Sequence, residues 1–165
     1  MEERPKYIPD TSSTDNIGNA LGWFLFLVGW ILAGTFFFYL PEIIPTHFGI
    51  NGQVDDYGNR LTIFLLPAIG SLVFLLLKFL VNRPETFNFP VKITQENAQY
   101  QYRLAISFIR WLNVSILLLF NGITILIYYS AVNNSAKGSI FWIVSTLIVL
   151  FFPIIVYVTS SFKKR

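Results

Sequence analysis

The chain has no cysteine and a single histidine among its 165 residues. That removes disulfides and thiolate metal sites from consideration. Charge is scarce too. Lys, Arg, Asp and Glu together make up 13% of the sequence, against roughly 25% in a soluble domain. So little polar surface leaves a water-exposed globule uncoated, whereas 54% hydrophobic and 18% aromatic residues suit a lipid solvent. No acidic residue falls inside any of the long apolar runs. A proton- or ion-coupled carrier normally needs one there, so the lack argues against that class.

Four apolar runs are present, at about residues 20–40, 61–81, 111–129 and 140–160. Each approaches the length of roughly 20 residues that a helix needs to cross a hydrocarbon core about 30 Å thick. Pro67 and Pro153 lie within two of them, where a kink rather than a break is expected. Trp23 and Tyr39, Trp111 and Tyr129, and Trp142 and Tyr157 fall near run ends, as interfacial aromatic belts do.

The net charge of +3 is a topology signal. Arg4, Lys6, Lys78, Arg83, Lys92, Arg103, Arg110, Lys163, Lys164 and Arg165 fall on one side of this arrangement, and only Arg60 and Lys137 on the other. The positive-inside rule then makes both termini cytoplasmic. The expected fold is an all-α integral membrane protein with four transmembrane helices, N-in and C-in. Residues 1–19 form a cytoplasmic N-terminal tail, too mixed in charge for a signal peptide, and 20–165 the transmembrane domain. Residues 41–60 make an extracytoplasmic insert and 82–110 a cytoplasmic connection. With the basic residues accounted for, nucleic acid is not an expected partner.

Within the connection, Phe87, Phe89, Val91 and Ile93 alternate with polar or proline positions, a half-buried extended pattern. Thr94 is a candidate N-cap for a helix about 50 Å long that runs unbroken into the third span and projects into the cytoplasm. Along that span Arg103, Arg110, Asn113 or Leu117, Asn121, Thr124 and Tyr128 follow three- and four-residue steps and share a face. Interhelical hydrogen bonding explains such a stripe, and a polar ligand cleft is the alternative. Gly29 and Ala33 in the first span, with Ala68 and Ser71 in the second, suit close helix contact.

The insert reads "IPTHFGINGQVDDYGNR" from Ile44 to Arg60. Asn51–Gly52 is a hairpin turn signal between two extended arms. A two-residue turn sets His47 opposite Asp56. A three-residue loop, with Gly52 in the left-handed position, sets it opposite Asp55. Either way the histidine gains a carboxylate across the ribbon, and the pair is expected to lock a rigid hairpin. Metal binding asks for about four ligands. His47, an aspartate and Glu42 gather fewer, so no metal and no cofactor is expected. Catalysis by His47 lacks a partner, since Thr46 points to the opposite face, and no catalytic residue is assigned.

The pattern Pro41-x-x-Ile44-Pro45-x-His47-Phe48, then Gly52-x-x-Asp55-x-x-Gly58-x-Arg60, followed by an apolar span, resembles a bacterial membrane domain of unassigned function. That domain also forms the N-terminal half of SdpI-type immunity proteins, which protect cells against a secreted toxic peptide. The segment "NRPETFNFPVKITQENAQYQYRL" is similar to the cytoplasmic segment of short family members. Immunity proteins of this type carry further spans in a second domain, and the family usually has lysine where Arg60 stands. The resemblance implies a small bacterial plasma-membrane protein, protective or sensory, and its aspartate matches Asp55, favouring the three-residue loop.

The expected function is non-enzymatic recognition of a peptide or lipid-like ligand at the outer face. Pro45, His47, Phe48, Gly52, Asp55, Asp56, Gly58 and Arg60 form the recognition hairpin, with Asp56 and Arg60 as exposed charged contacts. Arg110, Asn113, Asn121 and Thr124 form the polar stripe of the bundle. Expected partners are membrane lipids and an extracellular peptide, with a homo-oligomer or cytoplasmic partner left open. The rivals are a small-molecule transporter or permease subunit with a path along Asn113 and Asn121, a metal-assisted membrane hydrolase using His47, and a structural or assembly protein.

Overall fold

The computed structural model describes residues 4–6, 9–49, 51–133, 135 and 139–163. Ile50, Lys137, Lys164 and Arg165, on which parts of the loop and charge readings fall, lie outside them. The elements run α1 (Ser13–Phe37), β1 (Ile43–Phe48), β2 (Val54–Asn59), α2 (Leu65–Leu80), α3 (Ala98–Asn133) and α4 (Ser139–Ser161). Among the described residues, four helices are long and apolar enough to cross a membrane.

α1 begins before its apolar run does. Ser12 caps it: its Oγ accepts from the Asp15 N–H while the Asp15 carboxylate accepts from the Ser12 N–H, a reciprocal capping box. The face α1 turns to the bundle is small and includes Gly18, Gly22, Gly29 and Ala33, whereas Phe24, Leu27 and Ile31 point outward and exposed. Large apolar side chains outside and small ones inside is the arrangement expected when lipid, not water, is the solvent, because close backbone approach then drives association.

A turn of 3₁₀ helix (Arg60–Phe64) leads into α2, with the Asn59 side chain accepting from the Leu61 N–H. Pro67 therefore falls in the first turn of α2, where its missing N–H has no intrahelical partner to lose. Pro153 lies inside α4.

The 36-residue α3 is the hub. It packs on α1, α2, α4 and β1, and 44% of its most apolar window is buried against 6% for α4. α4 packs mainly on α3, with Phe108 stacked on Tyr157, ring centroids 4.6 Å apart. Near the hairpin, Ala33, Leu40, Ile44, Ile63 and Ile127 form a buried cluster, flanked by Phe36 stacked on Tyr128 at 4.0 Å.

The first turns of α3 do not project bare. Thr94 caps them as expected, in a reciprocal pair with Asn97. The preceding segment alternates half-buried Phe87, Phe89, Val91 and Ile93 with exposed residues, and Phe89 stacks on the buried Tyr102. Tyr100 and Gln101 donate to the Ser160 and Ser161 carbonyls at the end of α4. Arg4 ties the N-terminus to the same segment through the Glu85 and Phe87 carbonyls. That end of α3 is wrapped because its apolar face continues past the length a bilayer would cover.

Candidate functional site

β1 and β2 form an antiparallel ribbon between α1 and α2. Gly49 N–H donates to the Gln53 carbonyl and Gly52 N–H to the Gly49 carbonyl. Gly52 has φ 74°, the left-handed region that favours glycine. This is the closure expected of a three-residue loop with glycine at its last position.

The frame that pairs Pro45 with Tyr57 and Phe48 with Val54 sets His47 opposite Asp55. Irregularities on both sides of His47 shift its backbone to face Asp56 instead. Its side chain nevertheless reaches Asp55, and His47 Nδ1 hydrogen-bonds Asp55 Oδ1. The two sequence registers are thus each half realised: Asp56 by backbone, Asp55 by side chain. The bulge permits this because it re-aims a side chain without breaking the flanking pairs. The Asp55 carboxylate has room beside Gly49, where an added Cβ would sit 3.1 Å from Oδ2. Both partners are more than half exposed, so the pair braces the hairpin weakly at most. Among the described residues no group of three His, Asp or Glu side chains gathers as metal ligands.

The other hairpin residues divide by face. Ile44 is fully buried and Phe48 packs on the same cluster. Gly58 sits against Thr46, whose methyl would lie 2.9 Å from an added Cβ. Asp56 is exposed and accepts from the Tyr57 N–H. Arg60 turns inward: it is half-buried, donates to the Leu40 carbonyl at 3.2 Å and lies over the Phe37 ring at 4.7 Å. It clamps the end of α1 to the start of α2.

Pro45 is buried and opens onto a cleft of about 340 Å³ between the ribbon and the end of α3. Pro41, Ile43, Val54 and Tyr57 supply apolar walls, and Gln53 and Ser130 polar ones. Ser130 is 3% exposed, and its Oγ has no hydrogen-bond partner among the described residues. Sequence reading missed this cleft. Ser130 lies off the recognised stripe, and no local signal marks one small polar residue at a helix end as a cleft wall.

The stripe on α3 is engaged in packing. Asn121 Nδ2 donates to the Leu25 carbonyl of α1 at 3.0 Å, and Asn113 Nδ2 to the Phe74 carbonyl of α2 at 3.1 Å. Thr124 bonds back to Phe120. Trp30 Nε1 donates to Ser71 Oγ, joining α1 to α2. Arg110 faces Asp15 at 3.6 Å. Asp15 is almost wholly buried, and its signal was the Ser-x-x-Asp spacing from Ser12 that marks a capping box.

The hairpin lies near the middle of the segment that matches a family model. Residues 24–70 match the model of a domain of unknown function, DUF1648. An uncharacterized protein of Archaeoglobus fulgidus is 39% identical in an alignment covering 37% of this chain and 41% of the relative. The chain therefore spans about two fifths of that relative's length. No solved structure matches.

Proposed function

We propose that this protein is a non-enzymatic, four-span membrane protein of the prokaryotic plasma membrane that recognises a peptide at its outer face, in the manner of SdpI-type immunity or sensory proteins. Both termini and the connection between α2 and α3 lie in the cytoplasm, where the basic residues concentrate. The hairpin then stands outside. The observation that carries the reading is the cleft between the ribbon and α3, with apolar walls at Ile43 and Tyr57 and an unpartnered Ser130 hydroxyl. Ligand sites are commonly concave and apolar with a few placed polar groups. An extended peptide offers both complements, side chains for the walls and backbone groups for Ser130 and Gln53. The left-handed Gly52 turn and the packing of buried Ile44 and of Phe48 seat the ribbon against the bundle, which limits the conformational freedom lost on binding.

The test is survival of a sensitive bacterium challenged with a panel of membrane-active peptides. Wild type is expected to protect, and Tyr57→Ala and Asp55→Ala to lose protection at equal expression by blot. Absence of protection by wild type against every peptide overturns the immunity reading.

A further inference from the structure

A second cavity, of about 270 Å³, lies toward the end of the bundle opposite the hairpin, among the start of α1, the end of α2 and the stretch of α3 from Ile109 to Asn113. It is far larger than the roughly 10–15 Å³ that one water requires. Its polar wall is cationic and amide-rich: Lys78 and Arg110, with Asn16, Asn19, Asn82 and Asn113.

The hydrogen-bonding inventory of this wall is incomplete. Lys78 Nζ gives one bond to Asn19 Oδ1 at 2.9 Å and lies over the Trp23 ring at 5.0 Å. An ammonium has three donors. Arg110 Nη1 is buried with no hydrogen-bond partner among the described residues, and its neighbour Asp15 Oδ2 is 3.6 Å away. Asn113 is 6% exposed; its Nδ2 is used on Phe74, but its Oδ1 has no partner. Buried polar groups are rarely left unpaired without a reason. The side chains of Lys78, Arg110 and Asn113 line this one space.

We propose that this cavity binds a phosphate ester, the headgroup of an anionic phospholipid of the cytoplasmic leaflet. Lys78 and Arg110 meet the phosphate oxygens, since a guanidinium and an ammonium are the side chains best suited to them. The orphan Asn113 Oδ1 accepts a hydroxyl from the headgroup. Two cations set against the single carboxylate of Asp15 leave one positive charge, which matches a phosphodiester without an ammonium group. Glycerol as the headgroup alcohol supplies the hydroxyl. Basic pockets between membrane helices on the cytoplasmic side are a general form of headgroup recognition.

The test is native mass spectrometry of the full chain in neutral detergent, titrated with phosphatidylglycerol, phosphatidylcholine and free glycerol 3-phosphate. One phosphatidylglycerol per chain is expected, bound at least about fivefold more tightly than phosphatidylcholine, the factor set by one interfacial cation. Lys78→Gln should lower that affinity by a similar factor. Asn82→Ala serves as a second, milder variant, and unchanged melting without lipid shows that both fold. Glycerol 3-phosphate displacing the lipid at equal concentration would reassign the site to a soluble phosphate ester and overturn the lipid source. Equal binding of the two lipids, or undiminished binding by folded Lys78→Gln, would overturn the site. The outcome is independent of the hairpin, so failure of peptide recognition leaves it standing.

Discussion

One carboxamide on α3 governs how closely α1 can approach. Asn121 donates across to the Leu25 carbonyl, and its Oδ1 occupies the space that a Gly29 side chain would take, 2.7 Å from an added Cβ. The two residues therefore form one device. An interhelical hydrogen bond in a membrane averages about 0.6 kcal/mol, while forcing a methyl into a filled interface costs about 1–3 kcal/mol. Gly29→Ala is expected to destabilise the bundle by about 1–3 kcal/mol, measured by reversible unfolding in mixed micelles. Adding Asn121→Ala should recover part of that loss, because the clashing atom goes. Simple additivity of the two losses would show that the residues do not meet as described. Both were legible in the sequence, one as a small residue and one as part of a polar stripe, but their meeting was not. A stripe gives a direction around one helix; the rotation of the facing helix settles what it touches. The same limit applied at His47, where irregular pairing divides its backbone and side chain between two aspartates. Bulges follow from the packing of both strands and leave no spacing signal.

At the level of elements, hydropathy marks where a helix is able to cross lipid, and capping chemistry marks where it begins. The apolar run starts at residue 20, yet α1 starts at Ser13 because Ser12 and Asp15 satisfy each other's backbone groups. This polar extension carries Asp15 to Arg110 and lines one side of the cationic cavity with Asn16 and Asn19. Ser12→Ala removes the cap, an effect of about 1 kcal/mol in other helices. It should raise hydrogen exchange of the amides in the first turn of α1 while leaving those around Gly29 protected. Uniform loss of protection would mean that the cap supports the whole bundle and not one turn. The second connection shows the opposite balance of legibility. Its period-two pattern was visible and is present in burial, and the Thr94 cap was readable from one residue. What it packs on was not, because Phe89 meets Tyr102 through tertiary stacking that no local pattern announces.

Across the whole molecule, the two candidate sites occupy opposite ends of one hub. α3 forms a wall of the hairpin cleft at Ser130 and of the cationic cavity at Arg110 and Asn113. Charge is the basis of the proposed orientation. Among the described residues Arg60 is the only Lys or Arg at the hairpin end, and it is committed to Leu40 and Phe37, so it adds little to the surface potential there. The opposite end carries Lys78, Arg83, Lys92, Arg103 and Arg110. Because the chain has no cysteine, single replacements report on sidedness without background. Asp56 on the ribbon and Asn88 in the connection are both exposed. In intact cells a membrane-impermeant maleimide should label Asp56→Cys fully and Asn88→Cys only after permeabilisation. The reverse pattern would turn the protein over, placing the hairpin in the cytoplasm and the cationic cavity outside. The peptide reading would then lose its access, and the headgroup reading its leaflet. Labelling of Asp56→Cys in intact cells leaves the cleft open to the medium, which any externally supplied peptide requires.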